Sequence, residues 1–400
     1  MSESNAVETT RRRKIHHKGR VSQVGIYLGK QLRFFVNESD WKVLPMAAVI
    51  AALVGMVIRN RLFVNMEGTL IGAFALACVA IWNGCFNSIQ AVCRERAIIK
   101  REHRSGMHVS SYVAAHMIYQ LLLCFAQTAL TMYVLQLLGV KFYAKEGLFT
   151  PLMIVDIGLT MLLISYAADM MSLFISSVSR TTTGAMTVMP FILIFQLVFS
   201  GGIIPLPASV QKLSDYTISS YGIRAIAAQS DYNSWPMATG WNTLNNMRDS
   251  QIDETITVGQ ILDMLDSPAV EKRRDLEVMD QSTVSAAAGI AGIPEGMITP
   301  AEDSVTLGEV VDFLKGSQWL QENRDKSFRI KATVGEVIEI LGEKKVKETI
   351  ERKTAAAAQK EDYQHTKWNV AENWGMLILF IILFAALATL VLELIDRDKR

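Results

Sequence analysis

Six apolar stretches divide this chain into segments that can cross a membrane and segments that cannot. They cover residues 43–59, 69–90, 110–138, 152–177, 185–204 and 375–394. A hydrocarbon core about 30 Å thick needs about 20 mostly apolar helical residues, so each stretch predicts a transmembrane helix. The pattern therefore predicts an all-α polytopic membrane protein with six transmembrane helices and a long polar stretch before the last one.

The same pattern predicts five parts of the chain. Before the first span, Val24, Leu28, Leu32 and Phe35 recur at helical spacing, which predicts a helix lying in the cytoplasmic interface; the alternative is an extension of the first span. The predicted parts are a basic cytoplasmic tail with this interfacial helix (1–42), helices one to five (43–204), a polar stretch with a large, mainly helical extracellular insert (205–373), helix six (374–394) and a cytoplasmic tail (395–400).

The placement of charge predicts the orientation. The chain is 50% hydrophobic and 20% charged, with a formal net charge of only +1. Basic residues flank the predicted helices at the N-terminus, at 94–104, at Arg180 and at 397–400, which all fall on one side if six helices cross. The positive-inside rule then predicts a multi-pass protein of the plasma membrane with both termini in the cytoplasm, although Arg59 and Arg61 count weakly against it. The basic N-terminus is interpreted as a tail near anionic lipid, not as a nucleic-acid arm.

Neither the cysteines nor the histidines predict a metal or a catalytic site. All four cysteines lie in or beside apolar segments, so the insert is not a disulfide scaffold. His108 and His116 lack a second ligand pair. We therefore expect no catalytic residue, no metal and no cofactor bound by this chain, and we do not expect an enzyme.

A charged segment between the second and third predicted spans suggests a helix of about 91–107. Arg94 and Arg101 are a heptad apart, as are Glu95 and Glu102, so a helix would keep each pair on one face. Such a helix at the cytoplasmic edge suits docking onto another protein. A solvated charged loop is the alternative.

This segment resembles a motif of the G-subfamily of ABC exporters, within the ABC type-2 permease family. In that family a similar pattern follows span two and forms the coupling helix that meets the ATPase. The resemblance implies an ATPase-coupling role for Arg94, Glu95, Arg96, Arg101 and Glu102. The matching residues are Glu95-Arg96-Ala97, Arg101-Glu102, Gly106-Met107 and Tyr112.

Two further matches follow in the family's order, and the resemblance as a whole covers residues 27–232. Residues 199–205 are similar to the family's end of span five, and residues 216–222 to its re-entry segment. The first of these implies an outer gate, whose residues here would be Phe199, Gly201, Gly202, Ile203 and Ile204.

Two departures from the family pattern matter. No Gly-x-x-x-x-Gly-Lys-Ser/Thr phosphate loop occurs in the chain, so ATP and magnesium would be held by a partner ATPase subunit. The polar stretch before the last span is also far longer than the family's usual loop, which leaves the role of the insert open.

The insert carries three similar stretches, which begin at Thr257, Thr306 and Thr333. Each reads Thr-x-x-Gln/Glu followed by an amphipathic run. This is the pattern of a capping box, in which two side chains satisfy the open backbone N–H groups of a helix start. The insert should therefore contain at least three short helices, and residues 344–359 predict a further one.

Two carboxylates fall within the fourth predicted span. Asp156 lies near its outer end, where we expect it to be hydrated, and Asp169 lies deeper. An acid at membrane depth marks a functional site or a buried pair, and for Asp169 we expect a structural partner.

These patterns favour the permease subunit of an ATP-driven exporter that moves an amphipathic compound, lipid or peptide outward. Its expected partners are an ABC ATPase subunit, a second permease copy in a homodimer, and membrane lipid. The alternative is a membrane receptor or envelope assembly factor whose insert binds a ligand without transport.

Overall fold

The computed structural model describes residues 19–37, 40–142, 146–202, 206–266, 268–271, 274–275, 277–279 and 305–394. The chain forms two compact units. One comprises residues 1–237 and 355–400 and contains the apolar helices. The other comprises residues 238–354. The predicted insert of 205–373 is therefore divided between them.

The first unit is helical throughout its described part. Its helices are α1 (Arg20–Asn37), α2 (Val43–Ile58), α3 (Met66–Ser88), α4 (Ala91–Arg104), α5 (Val109–Leu137), α6 (Met153–Val178), α7 (Thr182–Val198) and α8 (Ile218–Gln229). The second unit contains α9 (Ala238–Asn246), α10 (Val258–Leu265), α11 (Pro268–Glu271), α12 (Leu307–Gly316), α13 (Gln318–Glu322) and α14 (Val334–Leu341). Then follow α15 (Glu343–Ala358) and α16 (Lys367–Glu393).

Four helical stretches in the described residues are long and apolar enough to cross a membrane. They are Met66–Arg104, which joins α3 to α4, and the helices α5, α6 and α16. The other two predicted spans correspond to the shorter apolar helices α2 and α7. The chain is thus a mostly helical, multi-pass membrane protein.

The end of α7 differs from the prediction. The apolar pattern placed it at residue 204, but the helix ends at Val198. The cause lies three residues on, where Gly201 has a φ of +67°, a left-handed conformation that glycine adopts without strain. Residues 199–202 therefore do not continue the helix.

The core of the first unit is built around a close approach of α3 and α6. A Cβ atom added to Gly84 of α3 would lie 2.0 Å from the carbonyl oxygen of Ser165 in α6. The thiol of the next residue, Cys85, points at the carbonyl of Ala168, which lies one turn after Ser165 in α6. The distance between sulfur and oxygen is 3.8 Å. Only a residue without a side chain allows the two backbones to come this close.

Helix α16 packs on the other side of α6 through aromatic rings. Phe384 stacks between Phe174 of α6 and Phe380 of its own helix, with ring centroids 6.1 and 6.0 Å apart. The Trp374 indole donates to the hydroxyl of Thr160 in α6 at 2.8 Å. The last span is thereby fixed to the same central helix as α3.

Helix α8 is buried along almost its whole length, and a side chain of α7 caps its start. The amide oxygen of Gln196 accepts hydrogen bonds from the backbone N–H groups of Ile218 and Ser219 at 2.8 and 3.3 Å. These N–H groups would otherwise be unsatisfied in an apolar environment. The short helix is therefore held inside the bundle.

The second unit combines helices with strands, which the sequence analysis missed. Strand β1 (Gln251–Thr257) pairs antiparallel with β4 (Ser327–Thr333), and the short β2 (Glu277–Met279) pairs with β3 (Val305–Thr306). The sequence analysis predicted a mainly helical insert and did not predict these strands. The signal for β4 was present, because Phe328, Ile330 and Ala332 alternate with charged residues.

Two of the three predicted capping boxes are confirmed. Thr257 with Gln260 and Thr333 with Glu336 each make both reciprocal hydrogen bonds at the starts of α10 and α14. The third falls on Glu309, whose side chain lies outside the described residues.

The glycine in each of these helix starts makes the same kind of backbone hydrogen bond. Gly259 donates its N–H to the carbonyl of Arg324, and Gly335 donates to that of Arg248, both at 2.9 Å. Both contacts join the first half of the unit (residues 238–279), which contains β1, to the second half (residues 305–354), which contains β4. Gly308 makes the same contact with Arg274 at 2.8 Å.

The close approach of α3 and α6 can be tested with two alanine variants. Gly84→Ala should lower the stability of the protein by about 1–3 kcal/mol, because the added methyl overlaps a backbone oxygen that cannot rotate away. Thermal unfolding in detergent would measure it. Gly158→Ala in α6 is the matched control, because its added Cβ would meet nothing nearer than 3.7 Å. Equal melting temperatures for the two variants would contradict the packing described.

Candidate functional site

Helix α4 presents two faces of different character. The side chains of Val92, Glu95 and Ile99 are buried. The opposite face is exposed and consists of Arg94, Ala97, Ile98, Arg101 and Arg104. We call these five residues the exposed face of α4. The heptad spacing placed Arg94 with Arg101 and Glu95 with Glu102, and the structure places the first pair outward and turns Glu95 inward.

The inward face of α4 is tied to α1 by a buried charge pair. Glu95 is only 6% exposed, and its Oε2 accepts from the Lys30 ammonium at 3.0 Å. The Tyr112 hydroxyl of α5 lies 3.5 Å from the same oxygen. A second bond joins the same helices further along, where Tyr27 donates to Glu102 Oε2 at 3.0 Å. Burial, together with the neighbouring Glu102 carboxylate, raises the pKa of Tyr27, which keeps its hydroxyl a donor.

Glutamine side chains of α1 complete this attachment. The Gln23 amide donates to the Gly106 carbonyl at 3.3 Å and accepts from the His108 N–H at 2.9 Å, which fixes the turn between α4 and α5. Gln31 lies 2.9 Å from the buried ring of His116. This packing explains why α1 buries a polar face while Val21 and Val36 are exposed. The sequence analysis looked for apolar spacing and so missed these contacts.

The other attachment of α4 is the end of α6. The hydroxyl of Ser176 accepts from the backbone N–H groups of Val92 and Cys93 at 3.1 and 3.2 Å, which satisfies the start of α4. Arg96 donates to the carbonyls of Ser177 and Ser179 at 2.8 and 3.2 Å. A cation at this position is favourable, because the last carbonyls of a helix are partly negative.

The five residues predicted to couple to the ATPase are thus divided by the structure. Arg94 and Arg101 belong to the exposed face of α4. Glu95, Arg96 and Glu102 hold α4 against α1 and α6. Their role in coupling stays a prediction, in which only the first two are placed to touch another subunit.

The residues predicted to form the outer gate are described only in part, because Ile203 and Ile204 lie outside the described residues. Phe199 ends α7 and its ring lies 5.0 Å from that of Phe195. Gly202 is buried, and an added Cβ would lie 2.8 Å from Ile223 and 3.4 Å from Phe74 of the same chain. Its small size therefore serves packing within the chain, and its role in a gate stays a prediction.

Asp169 is fully buried in α6 and has no cationic partner among the described residues. Its Oδ2 accepts from the Cys124 thiol at 3.7 Å, and Oδ1 has no hydrogen-bond partner there. Uncharged polar groups are also paired between α3 and α5, where Asn87 and Gln127 exchange two bonds of 2.8 and 3.1 Å. The expected structural partner is thus a thiol and not a counter-charge.

Asp156 is not hydrated as expected. It is 1% exposed and accepts hydrogen bonds from the N–H groups of Phe149 and Thr150 at 2.8 and 3.1 Å. It lies in the first turn of α6, where a carboxylate is favourable. Among the described residues no cluster of histidine, cysteine and acidic side chains could hold a metal ion.

Comparison with known proteins agrees with this arrangement. Residues 33–228 match the family described as ABC-2 type transporter, a range that includes α2 to α7 and nearly all of α8. An ABC transporter ATP-binding/permease protein of Mycobacterium tuberculosis is 29% identical over 157 residues. That match covers 38% of this chain and 18% of the relative, so the chain matches less than a fifth of the relative's length. The match over residues 33–228 supports a membrane component of an ABC transporter, similar to the ABC-2 type transporter family.

Proposed function

We propose that the chain is the permease subunit of an ATP-driven exporter, and that an ATPase docks on the exposed face of α4. The observation that carries the proposal is the division of charge on this helix. Arg94 and Arg101 face outward beside Ala97 and Ile98, while Glu95 is paired within the chain. A surface with three arginines and a small apolar centre fits an acidic, partly apolar groove on a partner.

The attachments of α4 explain how force on this face would reach the membrane. The helix follows α3 after two residues and is hydrogen-bonded to the end of α6 and to α1. A displacement of α4 would therefore move the cytoplasmic ends of α3 and α6 together. We propose that the ATP-binding sites lie outside these 400 residues, which contain no phosphate loop.

For the transport pathway, we propose a homodimer with its outer gate at the end of α7. The change from helix to left-handed backbone at Gly201 places Phe199 at a helix end, where a bulky ring can close a passage. The substrate class proposed is an amphipathic compound, lipid or peptide moved outward. The compact unit of residues 238–354 supports an alternative function, in which the protein is a receptor or assembly factor that does not transport.

The proposed topology has six crossings, with α2 and α7 as short spans, both termini in the cytoplasm and the second unit outside. The basic flanks at 94–104 and 397–400 support it. Helices of 16 and 17 residues can cross if the bilayer thins locally or interfacial side chains extend their reach.

The docking surface is tested by reversing two of its three arginines. Arg94→Glu with Arg101→Glu should weaken ATPase association about 10- to 100-fold, because attraction becomes repulsion at the contact. The readouts are co-purification of an ATPase with the tagged full-length chain from its own cells, and the ATP turnover of that preparation. Arg20→Glu with Arg33→Glu on the exposed side of α1 is the matched control. An unchanged yield of ATPase would refute the proposed surface. Normal association without any transported compound would favour the receptor.

The internal pair of Lys30 and Glu95 should behave differently. Lys30→Met leaves a buried carboxylate without its cation and should cost about 1–3 kcal/mol in stability. Replacing both residues by methionine should recover much of the loss, because no unpaired charge then remains. Thermal unfolding of the two variants measures this. A double variant no more stable than Lys30→Met would show that the two residues are not energetically coupled.

The topology is tested by two single cysteines at exposed positions. Lys344→Cys in α15 should react with a membrane-impermeant maleimide in intact cells, whereas Ser105→Cys after α4 should react only once the membrane is permeabilised. The native cysteines are buried or half-buried and give the background. The opposite labelling pattern would invert the proposed orientation.

A further inference from the structure

A polar cavity of about 420 Å³ lies in the first unit, apart from the coupling surface. Its wall is formed by the chain after α7, by the segment that leads into α8, by α8 itself and by the single turn of residues 361–363 before α16. A volume of this size suits a small molecule or a lipid headgroup. No residue of the proposed coupling surface takes part.

The main charged group in this wall is Arg224 of α8. Its side chain is only 25% exposed. Two carboxylates lie near it, Asp215 at 3.7 Å and Asp362 at 3.5 Å, and the Tyr221 ring centroid is 5.6 Å away. None of the described residues accepts a hydrogen bond from this guanidinium. A largely buried fork of five N–H donors favours an anionic acceptor that can bind in two places.

A second cation, Lys360, stands in the same wall on a fixed backbone. Its N–H donates to the Asn233 side chain at 3.1 Å, and its carbonyl accepts from the same amide at 3.0 Å. Its ammonium lies 5.1 Å from the Tyr363 ring centroid and makes no ion pair with a described residue. The cavity thus has two cations able to receive an anion.

The wall also has groups that suit an ammonium. Glu361 and Asp362 supply two carboxylates, so the four charged residues of the wall sum to zero. The Ser214 hydroxyl donates to the Gln211 carbonyl and therefore keeps its oxygen free to accept. A simple anion would meet these carboxylates at a cost, whereas a zwitterion satisfies both signs.

The position of the cavity fits the depth of lipid headgroups. Ser200 in its wall follows the end of the apolar α7 by two residues, and Tyr363 precedes the start of α16 by four. Trp368 in the first turn of α16 is 80% exposed, which is typical of the boundary between lipid and water.

We propose that this cavity binds a phosphoethanolamine group, with its phosphate on Arg224 and Lys360 and its ammonium on Asp362 and Glu361. The same chemistry occurs in ethanolamine phospholipids and in soluble phosphoethanolamine. The site is separate from the proposed ATPase contact, because none of its residues lies there, and it adjoins the proposed outer gate through Gly201.

The test uses the purified full-length chain in detergent. Short-chain phosphatidylethanolamine is titrated by calorimetry against phosphatidylglycerol with the same acyl chains, which lacks the ammonium, and against soluble phosphoethanolamine. The ethanolamine lipid should bind at least about tenfold more tightly than the glycerol lipid. Binding of the lipid alone identifies the membrane as the source, and equal binding of the soluble compound identifies a soluble ligand. Equal affinity for the two lipids would overturn the proposal.

Variants connect the binding to the cavity. Arg224→Gln and Lys360→Gln should each weaken binding of the ethanolamine compound about tenfold or more. Lys212→Gln is the matched control, because it removes a charge from the segment before α8 without lining the cavity. Since Arg224 also bridges two carboxylates, Arg224→Lys keeps the charge and loses only the two-pronged geometry. Unchanged binding in Lys360→Gln and in a folded Arg224 variant would overturn the assignment.

Discussion

The backbones of α3 and α6 meet at Gly84, and much of the membrane unit takes its position from that contact. Because no side chain separates the helices there, the polar groups on either side of it are brought within hydrogen-bonding reach of their neighbours. The same packing of α3 on α6 brings Ser176, near the end of α6, next to the first backbone N–H groups of α4. A helix that leaves the membrane after α3 therefore has its first turn completed by α6, and its direction is set before any partner binds.

Charged and polar side chains around α4 have two roles that the sequence does not distinguish. Glu95 and Arg101 are charged residues of the same segment, and the sequence does not distinguish their roles. Glu95 is buried and holds α4 in place, whereas Arg101 is exposed. A buried charge pair is poor evidence of net stability, since desolvation offsets most of the attraction. Its value here is geometric, because Lys30, Tyr27 and Gln23 together allow only one way for α1 to lie against α4.

The long apolar segments were predictable because burial in lipid imposes length and composition directly. Their ends were predicted to within about three residues for α3, α5 and α6. In contrast, α7 ended early near Gly201, and α16 begins at Lys367, where the Thr366 side chain caps the helix. The strands of the second unit were missed since β1 shows little alternation. Helix starts there were found, because a capping box is local.

For the exposed face of α4, sequence reasoning located the helix and the spacing of its charged residues. It did not identify which face of the helix would be buried. That choice depends on Gln23, Tyr27 and Lys30, which lie more than sixty residues away along the chain. Contacts between side chains so distant in sequence leave no periodic trace in a single chain. The cavity around Arg224 was invisible for the same reason, since residues 200–224 and 360–363 meet only in the folded unit.

The crossed contacts of Gly259 with Arg324 and of Gly335 with Arg248 bear on how the second unit is made. Each half supplies a backbone carbonyl that accepts a hydrogen bond from the helix start of the other half. Among the described residues, β1 pairs with β4. During synthesis the first half must therefore wait, with an open strand edge, until the second half has left the ribosome. Such edges invite wrong pairings, so the interval between the halves is when this protein is most exposed to aggregation.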